Sequence, residues 1–255
     1  MTEVDVEITD RVATVTLNAP SRRNSLTLGM VHEVVAAFDD LDRRQDVGAV
    51  IVTGAPPAFC AGAELTHLMG TPGEDRRRGL LAIYDGFLRV GRSPLPTVAA
   101  VNGAAVGAGL NLALVCDLRL AARSARFDTR FLQLGIHPGG GHTWMFQRLA
   151  GPQSAAAAIL FGEVLDGEAA ARCGLVWRAI DDTDLLKEAA VLAGRAAAAP
   201  PALARRVKET LTAMRAVTDH ETAIDIELEA QVWSMDQPEF AERLAALQAR
   251  ISRRP

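Results

Sequence analysis

The chain has few of the residues that build a covalent or metal framework. Its three cysteines, Cys60, Cys116 and Cys173, are odd in number, far apart and outside any CxxC spacing. That excludes a disulfide scaffold or a zinc site, and it fits a reducing compartment, the cytoplasm. No run of five or six like charges occurs, and the net charge is only −4, so neither a nucleic-acid footprint nor a polybasic membrane patch is expected. The N-terminal stretch carries acids and alternates polar with apolar residues, with no basic start or apolar core, and no signal peptide is expected. The longest apolar window, Val98 to Cys116, contains Asn102, Asn111 and three glycines, with Asp117 and Arg119 directly after it. It reads as a strand, a glycine turn and a buried helix, not as a membrane span. A GxGxxG fingerprint is also absent, and so is any regular internal period, which argues against a dinucleotide fold and a solenoid.

What is present is the apolar content of a globular protein: 255 residues, 49% hydrophobic and 23% charged, enough for one large domain, alone or with an appendage. Val4 to Ile8 and Val12 to Leu17 read as a β-hairpin. Ser25 to Arg43 has helical spacing of apolar residues, and Ala49 to Thr53 is a short buried strand. A second helix over Leu80 to Val90 ends at Pro94 and Pro96, and strands follow at Thr97 to Val101 and Asp117 to Ala122. After Pro138-Gly139-Gly140-Gly141 another helix runs to about Leu149. Beyond Pro152 the chain turns alanine-rich and helical, with one strand-like piece from Leu175 to Ile180 and helices near 185–199, 202–214, 221–235 and 238–251. Arg22 with Arg23, Arg76 to Arg78, and Arg205, Arg206 with Lys208 are the basic clusters open to an anion, although each reads equally well as a solvated face.

Two small-residue turns stand out, Phe59-Cys60-Ala61-Gly62-Ala63-Glu64-Leu65 and Val101-Asn102-Gly103 through Gly107-Ala108-Gly109-Leu110-Asn111. Glycine and alanine let a ligand approach the backbone, and free N–H groups at a helix start favour negative charge. Facing one another, such turns form an oxyanion hole. Together with Leu17-Asn18-Ala19-Pro20, Arg23-Asn24-Ser25-Leu26, Cys116-Asp117-Leu118-Arg119 and Leu134-Gly135-Ile136-His137-Pro138-Gly139-Gly140-Gly141, these motifs resemble the crotonase superfamily, the enoyl-CoA hydratase/isomerase family, in order and spacing over nearly the whole chain.

That resemblance implies an α/β fold, a spiral of ββα repeats over residues 1–195, with a helical region over 196–255 that mediates trimerisation, as a homotrimer or a hexamer of two trimers. It implies an acyl-CoA substrate, no tightly bound cofactor, coenzyme A present only as part of the thioester, no metal, and no nucleic-acid or membrane partner. It assigns the oxyanion hole to the backbone N–H groups of Ala61 and Ala108. Arg22 and Arg23, the turn residues Ala61, Ala63, Glu64 and Leu65, and Gly107 with Ala108 would lie along the coenzyme A and its thioester.

The departures from the family pattern concern the acid and base. Asn111 and Phe131 stand where the hydratases carry their two glutamates, and neither can exchange a proton at neutral pH. Candidate replacements are Asp128, His137 and His142 in the following segment, with Glu64 and His67 after the first turn; histidine suits the task best on pKa. The expected function is an enzyme, a lyase or isomerase of hydratase/isomerase type, that stabilises a thioester enolate with non-standard acid/base groups. The alternative is a non-catalytic acyl-CoA-binding protein of the same fold.

Overall fold

Alternating side chains set the first pair of strands: β1 (Val4–Thr9) and β2 (Val12–Leu17) pair antiparallel across Asp10 and Arg11, both at positive φ. The computed structural model describes residues 2–66 and 69–252. It divides into two units, Met1–Ala197 and Ala198–Pro255.

In the first unit, β2 continues in parallel to β3 (Ala49–Gly54), then β5 (Thr97–Val101), β7 (Leu118–Ala122) and β10 (Arg178–Ile180), giving the order β1-β2-β3-β5-β7-β10. β3 and β5 are buried along their full length, so they carry near-continuous apolar runs in place of alternation. A second sheet stacks four short strands, β4 (Ala58–Cys60), β6 (Ala104–Val106), β8 (Arg126–Asp128) and β9 (Leu165–Asp166). β3, β5 and β7 are each followed by a strand of the second sheet, β4, β6 and β8, and then by a helix, and this repetition makes the spiral.

The helices fold where capping and spacing agree. α1 (Leu28–Arg43) starts at Thr27, whose hydroxyl accepts from Met30 N, and buries Met30, Val31, Val34, Phe38 and Leu41 along one face. α2 (Gly73–Gly91) packs against it because Gly86 has no side chain where a Cβ would sit 2.9 Å from Val31 Cγ2. Arg89 ties the two helices through Asp39 and Asp42 at 2.7 and 2.5 Å. α3 (Ala108–Leu114) is short and almost wholly buried. α4 (His142–Leu160), α5 (Gly167–Arg172) and α6 (Leu185–Ala197) complete the unit. Asp117 anchors the sheet by accepting from Thr97 N and Oγ1 at 2.8 and 2.9 Å, and buried Arg119 donates to the carbonyls of Leu175 and Cys116.

Several boundaries differ from the sequence expectation. α2 begins at Gly73, ahead of Leu80, because Glu74 and Asp75 stabilise a polar first turn that apolar spacing does not register. α4 passes Leu149 and runs on to Leu160 across a kink at Gly151 (φ 79°); Pro152 begins the second piece, where a missing N–H costs nothing. Strand β10 starts only at Arg178, since Leu175 and Val176 both donate to Ala170 O and close off α5. The three-residue strands β4, β6 and β8 are too short for any periodicity to register.

The second unit holds α7 (Pro201–Ala213), α8 (His220–Met235) and α9 (Pro238–Ser252). Among the described residues no apolar side chain beyond Ala197 is buried, while Leu211, Leu228, Val232 and Leu247 are all about half exposed or more. No described helix is long and apolar enough to cross a membrane.

One polar side chain braces the first unit's loops. Asn24, fully buried and at φ 56°, accepts from Ala19 N at 2.9 Å and donates to Ala55 O and Ala58 O at 2.8 Å each. Asparagine tolerates this left-handed backbone, and its amide meets both acceptors and donor at once. Asn24→Ala is expected to lower stability by about 2–4 kcal/mol, at roughly 1 kcal/mol per bond plus the groups left unsatisfied, read as a lower urea midpoint at unchanged slope.

Candidate functional site

The first turn leaves β4 and runs beside the segment 23–26. Leu26 N donates to Gly62 O at 2.7 Å and Glu64 N donates to Leu26 O at 2.9 Å, a parallel bridge centred on Ala63. In such a bridge the central residue's own N–H and C=O point to the opposite side. Ala63 N–H therefore makes no bond to any described residue in this pairing and faces away from the segment that holds it. Ala61 differs: its N–H donates to Arg23 O at 2.9 Å. This corrects the assignment of Ala61 as an oxyanion donor, because that proton is already committed to holding the turn.

The second turn follows β6. Gly107 takes φ 50° and its N–H donates to Asp128 O at 2.9 Å, which starts α3 at Ala108. The N–H of a first helical residue has no partner within the helix. At Gly109 a Cβ would sit 2.2 Å from Cys60 O, so only glycine lets α3 lie on the backbone of the first turn. Ala63 and Ala108 consequently line the same cavity, of about 110 Å³, together with Leu65, Tyr84, Asn111 and Phe131. Cys60 lies behind the turn, where burial pushes its thiol up to about 12, so it stays protonated.

Asn111 and Phe131, which the resemblance sets at the family's glutamate positions, both line this cavity. Asn111 is held rigidly: its Oδ1 faces His142 Nδ1 at 2.7 Å and its Nδ2 donates to Gly139 O at 3.0 Å. Turning the amide over would set two carbonyl oxygens against each other, so Oδ1 is the acceptor and His142 carries its proton on Nδ1. The other ring nitrogen, Nε2, is buried and has no hydrogen-bond partner among the described residues. The ring packs edge-on to Phe131 at 4.9 Å and against Phe146 at 5.8 Å. Burial lowers its pKa to about 4.

The proposed replacement groups therefore separate. His142 is 1% exposed and sits behind Asn111, outside the cavity lining, so it is not available to exchange protons with a ligand. Asp128 is also buried and outside the lining, with its carboxylate paired to Arg130 (Nε to Oδ2 2.9 Å). His137 does reach the cavity; it is exposed, and its Nδ1–H donates to Pro138 O at 2.7 Å, leaving Nε2 as an acceptor. Glu64 points to solvent and accepts from Thr66 Oγ1. His67 lies outside the described residues. Arg22 is spoken for by Glu3, through two 2.6 Å bonds that also hold the Glu3 carboxyl below the usual carboxylate range. Arg23 leaves its side chain exposed. Among the described residues no group of three or more potential ligands is placed to hold a metal.

One lining residue escaped sequence reasoning. Tyr84, the single tyrosine of the chain, projects from α2 into the cavity. It falls on the apolar helical spacing of Leu80 to Val90 and so reads as core; no sequence pattern sets it apart from Ile83 or Phe87.

A family model described as enoyl-CoA hydratase/isomerase matches residues 7–249. A Mycobacterium tuberculosis protein named "Probable enoyl-CoA hydratase" is 48% identical over 250 residues, covering 96% of this chain and 97% of that one. The Escherichia coli 1,2-epoxyphenylacetyl-CoA isomerase is 32% identical over 245 residues, covering 94% and 93%. The crystal structure of an enoyl-CoA hydratase from Bacillus anthracis superposes with a TM-score of 0.91 at 30% identity, covering 97% and 96%.

The buried imidazole gives the site a measurable pH signature. Between about pH 6.5 and about 4 the unfolded chain binds a proton on His142 that the folded chain refuses, since the folded pKa is about 4. Stability is therefore greatest above the unfolded value and falls with acidification through this window, by on the order of 3 kcal/mol in total. His142→Phe should flatten that part of a pH series of urea melts; an unchanged slope would show that the ring does not stay neutral.

Proposed function

The chain belongs to the enoyl-CoA hydratase/isomerase family, and from that premise we propose that it binds an acyl-CoA thioester and stabilises its enolate between two backbone N–H groups, those of Ala63 and Ala108. The observation that carries this reading is the convergence of these two donors on one cavity. Charge builds on the thioester oxygen as an enolate forms, and fixed donors there lower the barrier by about 3 kcal/mol each. The alanine side chains take no part. The turn that supplies Ala63 is stiffened from behind by the Arg23–Ala61 and Leu26–Ala63 pairings, so the donor is in place before the substrate arrives.

The chemistry next to the thioester must run without a carboxylate in the cavity lining. Water addition or proton transfer then falls to His137, whose Nε2 is left as an acceptor at the cavity and can take and return a proton. Asn111 and Phe131 orient or exclude water. Exposed Arg23 is a cation open to a coenzyme A phosphate, and Leu65 lies along the pantetheine. The half-exposed apolar side chains of the helical unit support assembly as a homotrimer or homohexamer in the cytoplasm, which sedimentation would reveal as a species of three or six chains.

The test is loss of enoyl absorbance with crotonyl-CoA and a longer enoyl-CoA, with binding followed by calorimetry. Turnover that drops with His137→Ala supports the full reading. Binding without turnover favours the acyl-CoA-binding alternative, which rests on the amide at position 111, and no binding overturns both. Ala108→Pro offers a sharper test, because proline is well suited to a first helical position and removes little except the N–H. It should keep near-normal stability while lowering kcat by roughly 10²- to 10³-fold.

A further inference from the structure

The segment that aims the first turn is itself strained. Arg23 and Asn24 stand side by side at φ 54° and 56°, a left-handed backbone that residues with a Cβ disfavour and that persists only where neighbours hold it. Arg23 O is the acceptor for Ala61 N–H, and Leu26 brackets Ala63 through its bonds to Gly62 O and from Glu64 N. The direction of Ala63 N–H therefore follows the path of this segment. Asn24 holds it from the inside through its buried amide.

Glu3, the residue before β1, holds it from the outside. Its carboxylate accepts both arms of the Arg22 fork, Nη1 to Oε1 and Nη2 to Oε2, at 2.6 Å each, and Oε2 also accepts from Thr27 Oγ1 at 3.3 Å. One carboxylate thus bridges residues 22 and 27, on either side of the left-handed pair. Arg22 Nε meanwhile donates to Ser25 O at 3.2 Å and closes the guanidinium over that pair. Glu3 is anchored in turn, since its N–H donates to Glu33 Oε2 on α1 and its carbonyl accepts from Asn18 N, both at 2.7 Å. The Arg22 and Glu3 side chains are only 30% and 28% exposed, and a bidentate, partly buried pair of this kind is a stronger tie than a surface ion pair.

We propose that Glu3 is a positioning residue for the oxyanion hole, acting through Arg22 and the segment 22–27 to fix the direction of the Ala63 N–H. This rests on the enolate reading above. Glu3 lies outside the cavity lining, so its influence on turnover travels through the segment and not through contact with a ligand. Arg22, with its fork closed by Glu3, acts inward on the turn.

Glu3→Gln tests this in the full chain, because it keeps the side chain's shape and removes the charge. With crotonyl-CoA, kcat should fall by about three- to tenfold, a small part of the roughly 10²- to 10³-fold cost of losing a donor outright, while KM stays within about twofold. Arg22→Gln should lower kcat by a similar factor, and the double variant should fall no further, as expected of two groups in one chain of contacts. Hydrogen exchange supplies a readout that needs no turnover: the Ala61 and Glu64 amides, bonded to Arg23 O and Leu26 O, should exchange faster in Glu3→Gln. Unchanged kcat overturns the proposal. So does a lower KM at unchanged kcat, because Glu3 would then be masking Arg22 from the ligand and not bracing the turn. If the native chain turns over no enoyl-CoA, the enolate reading falls, and exchange still decides whether the brace exists, with unchanged rates at Ala61 and Glu64 removing it.

Discussion

The site depends on one backbone contact, the start of α3 lying directly on the carbonyl of Cys60. A Cβ at Gly109 would come within 2.2 Å of that oxygen, so any other residue would push the second turn off the first. Without the contact, Ala63 and Ala108 would belong to separate surfaces and their N–H groups would share no cavity. Two further features serve the same arrangement. Gly107 N–H on Asp128 O fixes where α3 begins, and Asn24 holds the loop from which β4 and the first turn depart.

Much of the fold was legible because burial imposes strong patterns. The hairpin, the fully apolar β3 and β5 and the amphipathic α1 are each set by local alternation or spacing. The motifs around Gly62 and Gly109 identified the facing turns because only small residues permit the approach. What local pattern cannot give is the direction of an N–H. Ala61 and Ala63 are the same residue type two positions apart in one extended turn, and which of them is free is decided by the segment 23–26 alongside. That pairing joins residues nearly forty positions apart and leaves no mark in the turn itself. Tyr84 and His142 were hidden or misjudged for a related reason. A residue's reach into a cavity depends on the packing of several elements, so Tyr84 on an apolar face read as core, while His142, polar and next to the glycines, read as accessible.

Asn111 and Phe131 make sense as a single arrangement once His142 is considered with them. A carboxylate at position 111 would face a ring that burial keeps neutral and would set an acceptor against the Gly139 carbonyl. Asparagine satisfies both neighbours, with one acceptor for Nδ1–H and one donor for the carbonyl. Phe131 then packs its ring against His142, closing the side of the imidazole that a charged group would have kept wet. The three residues are mutually consistent and uncharged, so reversing one alone is expected to cost more than its own contacts.

A lining without carboxylates also bears on the proposed oxyanion hole. The electrostatic worth of an N–H donor rises as charge and water are removed from its surroundings. On the proposed reading, an enolate would meet the N–H groups of Ala63 and Ala108, the neutral side chains of Asn111 and Tyr84 and the cation Arg130, with no carboxylate among the described lining residues. A pocket without carboxylates holds negative charge on a ligand better than one that carries them, and it is correspondingly poorer at activating water. This follows from which groups at this site carry charge and which only carry dipoles.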